Sequence, residues 1–297
     1  MPNRASAHSV SAPRFSLIVA TIGRTVPLER LFASLANQDF DDFEVIVVDQ
    51  NRAIDLGPIL RPARWPFPVT HMQRRDVRGV SAARNCGWPS ARGGILVFPD
   101  DDCWYPPDYL SRLDHILRHT RAHLVTGRAK CPAGRAINGR FERNAGPIDR
   151  RRVFSTQIEW NMAIDARLVQ HLGGYDETIS LGGLTPWQGG EGYDLILRAL
   201  RCGARCHYQP DIVGHHDELL VAAPDLAMIA KGRGYARGLG FVLRKHGYGR
   251  GSIAWWASRS LYNLMRATLR NDRRQMHYFA VQVVGRIEGW RGKVIAS

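Results

Sequence analysis

Short apolar runs alternate with amphipathic stretches along the first 120 positions. Phe15-Ser-Leu-Ile-Val-Ala20 is bounded by Pro13 and by Thr21-Ile-Gly23, which predicts a buried strand ending in a loop. Leu28, Leu31, Phe32 and Leu35 fall at helical spacing within 27–37, and Pro27 suits a first turn. Phe43-Glu-Val-Ile-Val-Val48 predicts a second buried strand ending at Asp49, and Gly94-Ile-Leu-Val-Phe98 a third that runs into Asp100-Asp101-Asp102. Helical patterns cover 80–91 and 109–120, whereas 51–70, rich in Pro and Arg, reads as irregular. Strand, helix, strand, helix, strand is the alternation of an α/β fold: a doubly wound, mostly parallel sheet with helices on both faces.

Further on, 124–127 and 158–164 are expected to be strands, 166–172 a short helix, and 178–190 a glycine-rich flexible loop. Gly190 to Arg201 is a clear helical pattern stopped by Gly203. Three more helical patterns occupy about 226–246, 252–270 and 274–288. The expected organisation is a loose leader at 1–13, which lacks an apolar signal region, a main domain at 14–225 and a basic helical extension at 226–297.

Charge sharpens that division. The formal net charge is +14, yet residues 1–225 hold 27 Lys+Arg against 25 Asp+Glu, while 226–297 hold 14 against 2. Basic residues beside Trp255, Trp256, Leu261, Leu264, Met265 and Leu269 suggest an interfacial helix on an anionic membrane. The bland alternative is a helical pair docked on the main domain with a solvated basic face. No segment is apolar enough to cross a bilayer. The five cysteines are irregularly spaced, and Cys202-x-x-x-Cys206-His207 lacks a second ligand pair, so reduced thiols are expected rather than a zinc site.

The chemistry is expected where the strands end. Three consecutive acids repel one another unless they hold a hard divalent cation, Mg2+ or Mn2+, which takes oxygen ligands and shares them with phosphates. In an extended segment Asp100 and Asp102 point to the same side, so both reach one ion.

In order along the chain, Ser16-Leu-Ile-Val-Ala-Thr-Ile-Gly-Arg24, Val45-Ile-Val-Val-Asp49, Gly79-Val-Ser-Ala-Ala-Arg-Asn-Cys-Gly87, Val97-Phe-Pro-Asp-Asp-Asp102 and Gly190-Glu-Gly-Tyr-Asp-Leu-Ile-Leu-Arg198 resemble an inverting family 2 glycosyltransferase of the GT-A fold. Asn161-Met-Ala-Ile164 and Gly173-Gly-Tyr-Asp176 also fit, and the resemblance covers about 14–217. It implies that Thr21 and Asp49 line a nucleotide-base pocket with Arg24 nearby, and that Arg84 and Asn85 lie near the ribose or diphosphate. Asp100 and Asp102 match the acids of the DxD motif around Asp101, Asp100 meeting ribose or metal and Asp102 the metal. His215 or His216 occupies the place of a further metal ligand, and His216 has the better offset from Pro210.

Inverting transfer also needs a base for the acceptor hydroxyl. The family usually shows Glu-Asp where this chain has Glu191-Gly192, with Asp194 following. Glu191 is the first candidate and Asp194 the second, the latter equally readable as an ion-pair partner of Arg198. Trp187 is readable as a sugar-stacking side chain or as a hydrophobic lid residue. The expected activity is metal-dependent transfer from a nucleotide-diphosphate sugar to a saccharide or lipid-linked acceptor in polysaccharide or glycolipid assembly. The expected location is cytoplasmic, peripheral at the cytoplasmic face of the inner membrane, with no nucleic-acid partner. One rival is a nucleotidyltransferase, but Thr21-Ile-Gly-Arg24 is short for its phosphate loop. The other is a non-catalytic nucleic-acid-binding protein using the tail, which leaves the acidic triplet unexplained.

Overall fold

The computed structural model describes residues 12–218 and 223–295, so most of the expected leader at 1–13 lies outside the described residues. The strands are β1 (Phe15–Thr21), β2 (Phe43–Asp49), β3 (Val69–Gln73), β4 (Ile95–Val97), β5 (Cys103–Trp104), β6 (Leu124–Ala129), β7 (Gly146–Pro147), β8 (Met162–Asp165) and β9 (Cys206–His216). The helices are α1 (Val26–Ala36), α2 (Gly57–Leu60), α3 (Val80–Gly87), α4 (Tyr109–Thr120), α5 (Ala166–Leu172), α6 (Glu191–Arg201), α7 (Leu226–Lys245), α8 (Arg250–Leu269) and α9 (Arg273–Arg291).

One sheet runs β3-β2-β1-β4-β8-β6-β9-β5, with β7 added on β9. Its first four strands are parallel, and β8 enters antiparallel between β4 and β6. Every residue of β2, and all but Ala20 of β1, is buried, as their unbroken apolar runs require of strands covered on both faces. On one side Leu28, Leu31, Phe32 and Leu35 of α1 and Leu110, Leu113 and Leu117 of α4 pack on Val45, Val47 and Val97. On the other, Ala83 of α3, Val169 of α5 and Leu195, Ile196 and Leu197 of α6 pack on Ile18, Val48 and Leu96.

Two registers build the site. Thr21 lies opposite Asp49, so β1 and β2 end together, and a bridge from Ala20 to Asp100 draws the acidic triplet to that same edge. Directly after the triplet, Cys103 of β5 pairs with His216 of β9 and thereby delivers His216 to Asp102.

Several elements differ from the sequence expectation. β3 falls partly in the stretch read as irregular; its residues are half-exposed, so no apolar run marks it. The 80–91 helix stops at Gly87 and gives way to a 3-10 turn at Trp88–Ser90. Likewise 158–164 begins as a 3-10 turn, Glu159–Asn161, before β8. β9 runs through Pro210 because its pairing with β6 skips from Tyr208 to Val213, leaving the proline in a bulge that needs no ladder donor. All five cysteines are free.

The last three helices form a bundle that docks on the main body. α7 lies along the 178–190 loop, where a Cβ at Gly238 would stand 1.9 Å from the Gly189 carbonyl oxygen, so only glycine permits the approach. The α7 C-terminus is latched to α6: His246 Nε2 lies 2.8 Å and Lys245 Nζ 2.6 Å from Asp194 Oδ1. Within the bundle the fully buried Glu288 of α9 accepts from Arg233 and Arg237 of α7, each at 2.6 Å. Among the described residues no helix is long and apolar enough to cross a membrane.

Candidate active site

Beyond the strand ends the acids are tied into a charged lattice. Asp101 accepts from the Thr21 hydroxyl at 2.7 Å and from Arg24 at 2.6 Å, and the same Arg24 nitrogen lies 2.6 Å from Asp102. Asp102 also faces His216 Nε2 at 2.9 Å, while His216 Nδ1 lies 2.6 Å from the Asp217 carbonyl oxygen. With acceptors on both ring nitrogens, His216 has its pKa raised despite burial, because Asp102 favours the imidazolium. Burial likewise opposes ionisation of Asp102, but the His216 hydrogen bond and nearby positive charge hold its carboxyl below the usual range. Asp100 is pushed up to about 6, first by burial and then by repulsion from Asp102, Glu159 and Asp101, against the opposing pull of Arg84.

Asp100, Asp102 and His216 each offer one ligand atom, and these atoms lie within 4.8 Å of one another. Two carboxylates and an imidazole fit Mg2+ or Mn2+, and the unrelieved repulsion at Asp100 is what a cation there would remove.

Arg84, only 1% exposed, joins this corner to a second one: Nη2 donates to Asp100 at 2.8 Å, and Nη1 pairs with Glu159. Glu159 was not among the residues singled out from sequence. It faces Glu191, which is 4% exposed at the start of α6 and accepts from the Leu181 amide. Burial raises both carboxyls; Asp100 raises Glu191 further and Glu191 raises Glu159. The glycine after Glu191 makes the pair possible. A Cβ on Gly192 would stand 3.2 Å from Glu159 Cβ and Cγ and 2.9 Å from Gln157 Oε1. The sequence departs from Glu-Asp at the point where a carboxylate from another segment fills the space.

The remaining sequence candidates turn away from the cavity. Thr21 is buried against Asp101. Asp49, fully buried, accepts from Asn51 at 2.8 Å and faces His71 at 2.9 Å; Asn51 in turn accepts from the Gly23 amide at 2.6 Å, so Asp49 shapes the pocket rim from behind. Asn85 is clamped to the Tyr175 backbone. Asp194 is surrounded by Arg198, Lys245 and His246, whose hydrogen bonds and charges overcome burial and drop its pKa far below the usual carboxylate value. That geometry matches the ion-pair reading, with a larger partner set than Arg198 alone. Trp187 stacks on Phe241 of α7, ring centroids 4.9 Å apart.

A single cavity of about 1070 Å³ connects the two corners; its lining includes Asn51, Asp100, Asp102, Glu159, Glu191 and His216. Its other wall comes from the basic extension: Lys231 and Tyr235 of α7, and Tyr278, Gln282 and Arg286 of α9. Tyr278, Gln282 and Arg286 recur at i, i+4 and i+8, and that polar stripe on one helix face was the available signal.

A profile described as Glycosyl transferase family 2 matches residues 16–171, just over half of the chain. An uncharacterized glycosyltransferase of Haemophilus influenzae is 27% identical over 195 residues, 63% of this chain and 62% of that one. The GalNAc(5)-diNAcBac-PP-undecaprenol beta-1,3-glucosyltransferase of Campylobacter jejuni is 34% identical over 123 residues, 38% of this chain and 37% of that one. The chain thus spans 62% and 37% of these relatives' lengths, less than two thirds of either. In fold it is similar to a mannosyltransferase of Pyrobaculum calidifontis solved with GDP-Man and Mn2+: TM-score 0.62, 17% identity, covering 96% of this chain and 89% of that one. The α/β architecture, a curled sheet with added C-terminal helices, is of the GT-A type.

Proposed function

The chain belongs to glycosyl transferase family 2, and from that membership we propose that it moves a sugar from a nucleotide-diphosphate sugar to an acceptor hydroxyl with inversion at the anomeric carbon. One observation carries the reading: the same cavity holds a cation-competent trio, Asp100, Asp102 and His216, and a buried carboxylate pair, Glu191 and Glu159.

The donor nucleotide enters between Asn51 and the acidic edge, with its diphosphate toward Asp102 and Arg24. Held by Asp100, Asp102 and His216, Mg2+ or Mn2+ would supply Lewis-acid neutralisation of the diphosphate as it leaves. Glu191 takes the proton from the acceptor hydroxyl as that oxygen bonds to the anomeric carbon and the bond from that carbon to the diphosphate oxygen breaks. Glu159 and Arg84 set the charge state of Glu191. Arg84 holds Asp100 and Glu159 in fixed positions, and its charge favours the deprotonated pair.

The acceptor is a saccharide, most simply one carried on a lipid, in polysaccharide or glycolipid assembly. Two observations favour the lipid. The Campylobacter relative's name includes a polyprenol diphosphate. On α8, Trp255, Leu261, Tyr262, Met265 and Leu269, each at least half exposed, form one stripe edged by Arg259, Arg266 and Arg270. An apolar stripe flanked by arginines suits the interface of an anionic membrane, at the cytoplasmic face of the inner membrane.

The test is turnover of UDP-, GDP- and dTDP-sugars with Mn2+. One donor is expected to turn over, and Asp102→Ala or chelation to abolish that turnover while the thermal transition persists. Turnover that survives chelation contradicts the metal-dependent route.

A further inference from the structure

Arg286 is a buried cation lining the cavity that, among the described residues, has no carboxylate partner. It is 9% exposed, and its Nη1 donates to the Trp256 carbonyl oxygen at 2.6 Å and to the Ser260 hydroxyl. Its Nη2 reaches Gln282 Oε1 at 3.4 Å, and its buried Nε has no partner. Each of these acceptors is neutral. The nearest carboxylate along α9, Glu288, is committed to Arg233 and Arg237. Two more guanidiniums gather here. Arg259 of α8 lies 5.2 Å from the Trp256 ring centroid, on the ring that Arg286 approaches to 5.7 Å. Arg140, from the loop before β7, lines the same cavity as Arg286; burial first and then the charge of Arg140 lower the pKa of Arg259, and burial first and then Arg259 lower that of Arg286. Among the described residues none of the three has a carboxylate partner. An isolated buried cation is costly; with Arg286 buried, Arg259 half-buried beside it and the exposed Arg140 lining the same cavity, the three form a cradle for a ligand that brings its own negative charge.

We propose that Arg286, Arg259 and Arg140 form an anion subsite at the acceptor end of the cavity, which holds the phosphate or diphosphate group of a lipid-linked acceptor. Guanidinium forks match phosphate oxygens in pairs, and several forks suit a polyanion better than a single carboxylate. The place fits the rest of such a molecule. Arg286 lines the same cavity as Glu191, toward which the acceptor sugar extends. Arg259 belongs to α8, whose exposed apolar stripe gives the lipid tail an exit. The naming of the anion as an acceptor group rests on the glycosyltransferase reading; the subsite itself does not.

Inorganic pyrophosphate is the probe, titrated into the full chain in EDTA so that the Asp100–Asp102 corner has no metal, with tryptophan fluorescence as readout because Trp256 lies against both arginines. Saturable binding is expected. Arg286→Gln should weaken it at least tenfold, and the exposed, fold-neutral Arg140→Gln several-fold, while binding of UDP with Mn2+ stays within about twofold. No saturable binding by the unaltered chain, or equal affinity in both variants, overturns the subsite. Phosphatidylglycerol vesicles separate the two phosphate sources: their sedimentation with the chain should be insensitive to Arg286→Gln. A loss as large as that for pyrophosphate would mean that the cluster reads membrane headgroups, and would overturn the acceptor assignment. Pyrophosphate binding in a chain that binds no nucleotide with Mn2+ would sink the proposed function and leave the subsite standing.

Discussion

Glu191 and Glu159 form a carboxylate pair in which each side chain decides the charge of the other. Both are buried and they share the field of one guanidinium, so the last proton leaves above the ordinary carboxylate range. The working base is the deprotonated form. The rate should therefore climb through an acid limb displaced upward from that range, read as kcat against pH. Glu191→Gln should lower kcat by about 10²- to 10⁴-fold with little change in the KM for donor. Glu159→Gln removes a like charge, so the acid limb should move to lower pH; an unmoved limb would show that the two do not interact. At this scale the sequence was only half legible. Asp100, Asp102, His216 and Glu191 could be singled out because each ends an element or sits in an unusual run, and the structure brings them to one cavity. Glu159 was missed because its partner, Glu191, is 32 positions away and belongs to another element. Gly192 read as a missing acid, whereas its lack of a Cβ is what admits Glu159.

Among the elements, α6 and α7 depend on one carboxylate. Asp194 faces Arg198, Lys245 and His246, and its folded pKa lies far below the unfolded value. Its contribution to stability is therefore complete above the unfolded carboxylate pKa of about 4 and declines as pH falls toward the folded value. Asp194→Asn should cost about 3 kcal/mol in urea unfolding at pH 7 and distinctly less near pH 2. A variant with unchanged stability would remove the latch. α8 makes a different prediction. Trp255→Glu with Leu269→Glu should release the chain from anionic vesicles and leave turnover of a water-soluble acceptor intact; retained vesicle binding would rule out the stripe as the membrane face. Helices were legible because a 3.6-residue period survives in sequence for all three C-terminal segments. β3 was hidden because its residues are half-exposed. The length of β9 was not legible because a proline within a strand needs a bulge, and only the register with β6 shows the one that tolerates Pro210.

The whole molecule closes its cavity with a part for which the sequence left two readings open, an anionic membrane or docking on the main domain. A net charge of +12 on 226–297 points toward an anionic partner, and nothing local says that the same helices fold back on α6 and the 178–190 loop. Sheet order was similarly out of reach, since the insertion of β8 between β4 and β6 is set by contacts far apart in the chain. Once folded, the bundle contributes Lys231, Tyr235 and Arg286 to a space that already holds the acidic edge. Everything in the functional account depends on that edge gripping a cation together with a nucleotide. Electron paramagnetic resonance of Mn2+ reads this directly. Addition of the chain with UDP or GDP should quench the free-ion signal, and Asp102→Asn or His216→Ala should restore most of it at the same concentrations. A free-ion signal that the unaltered chain leaves intact with every nucleoside diphosphate, or that both variants quench equally well, would contradict the account.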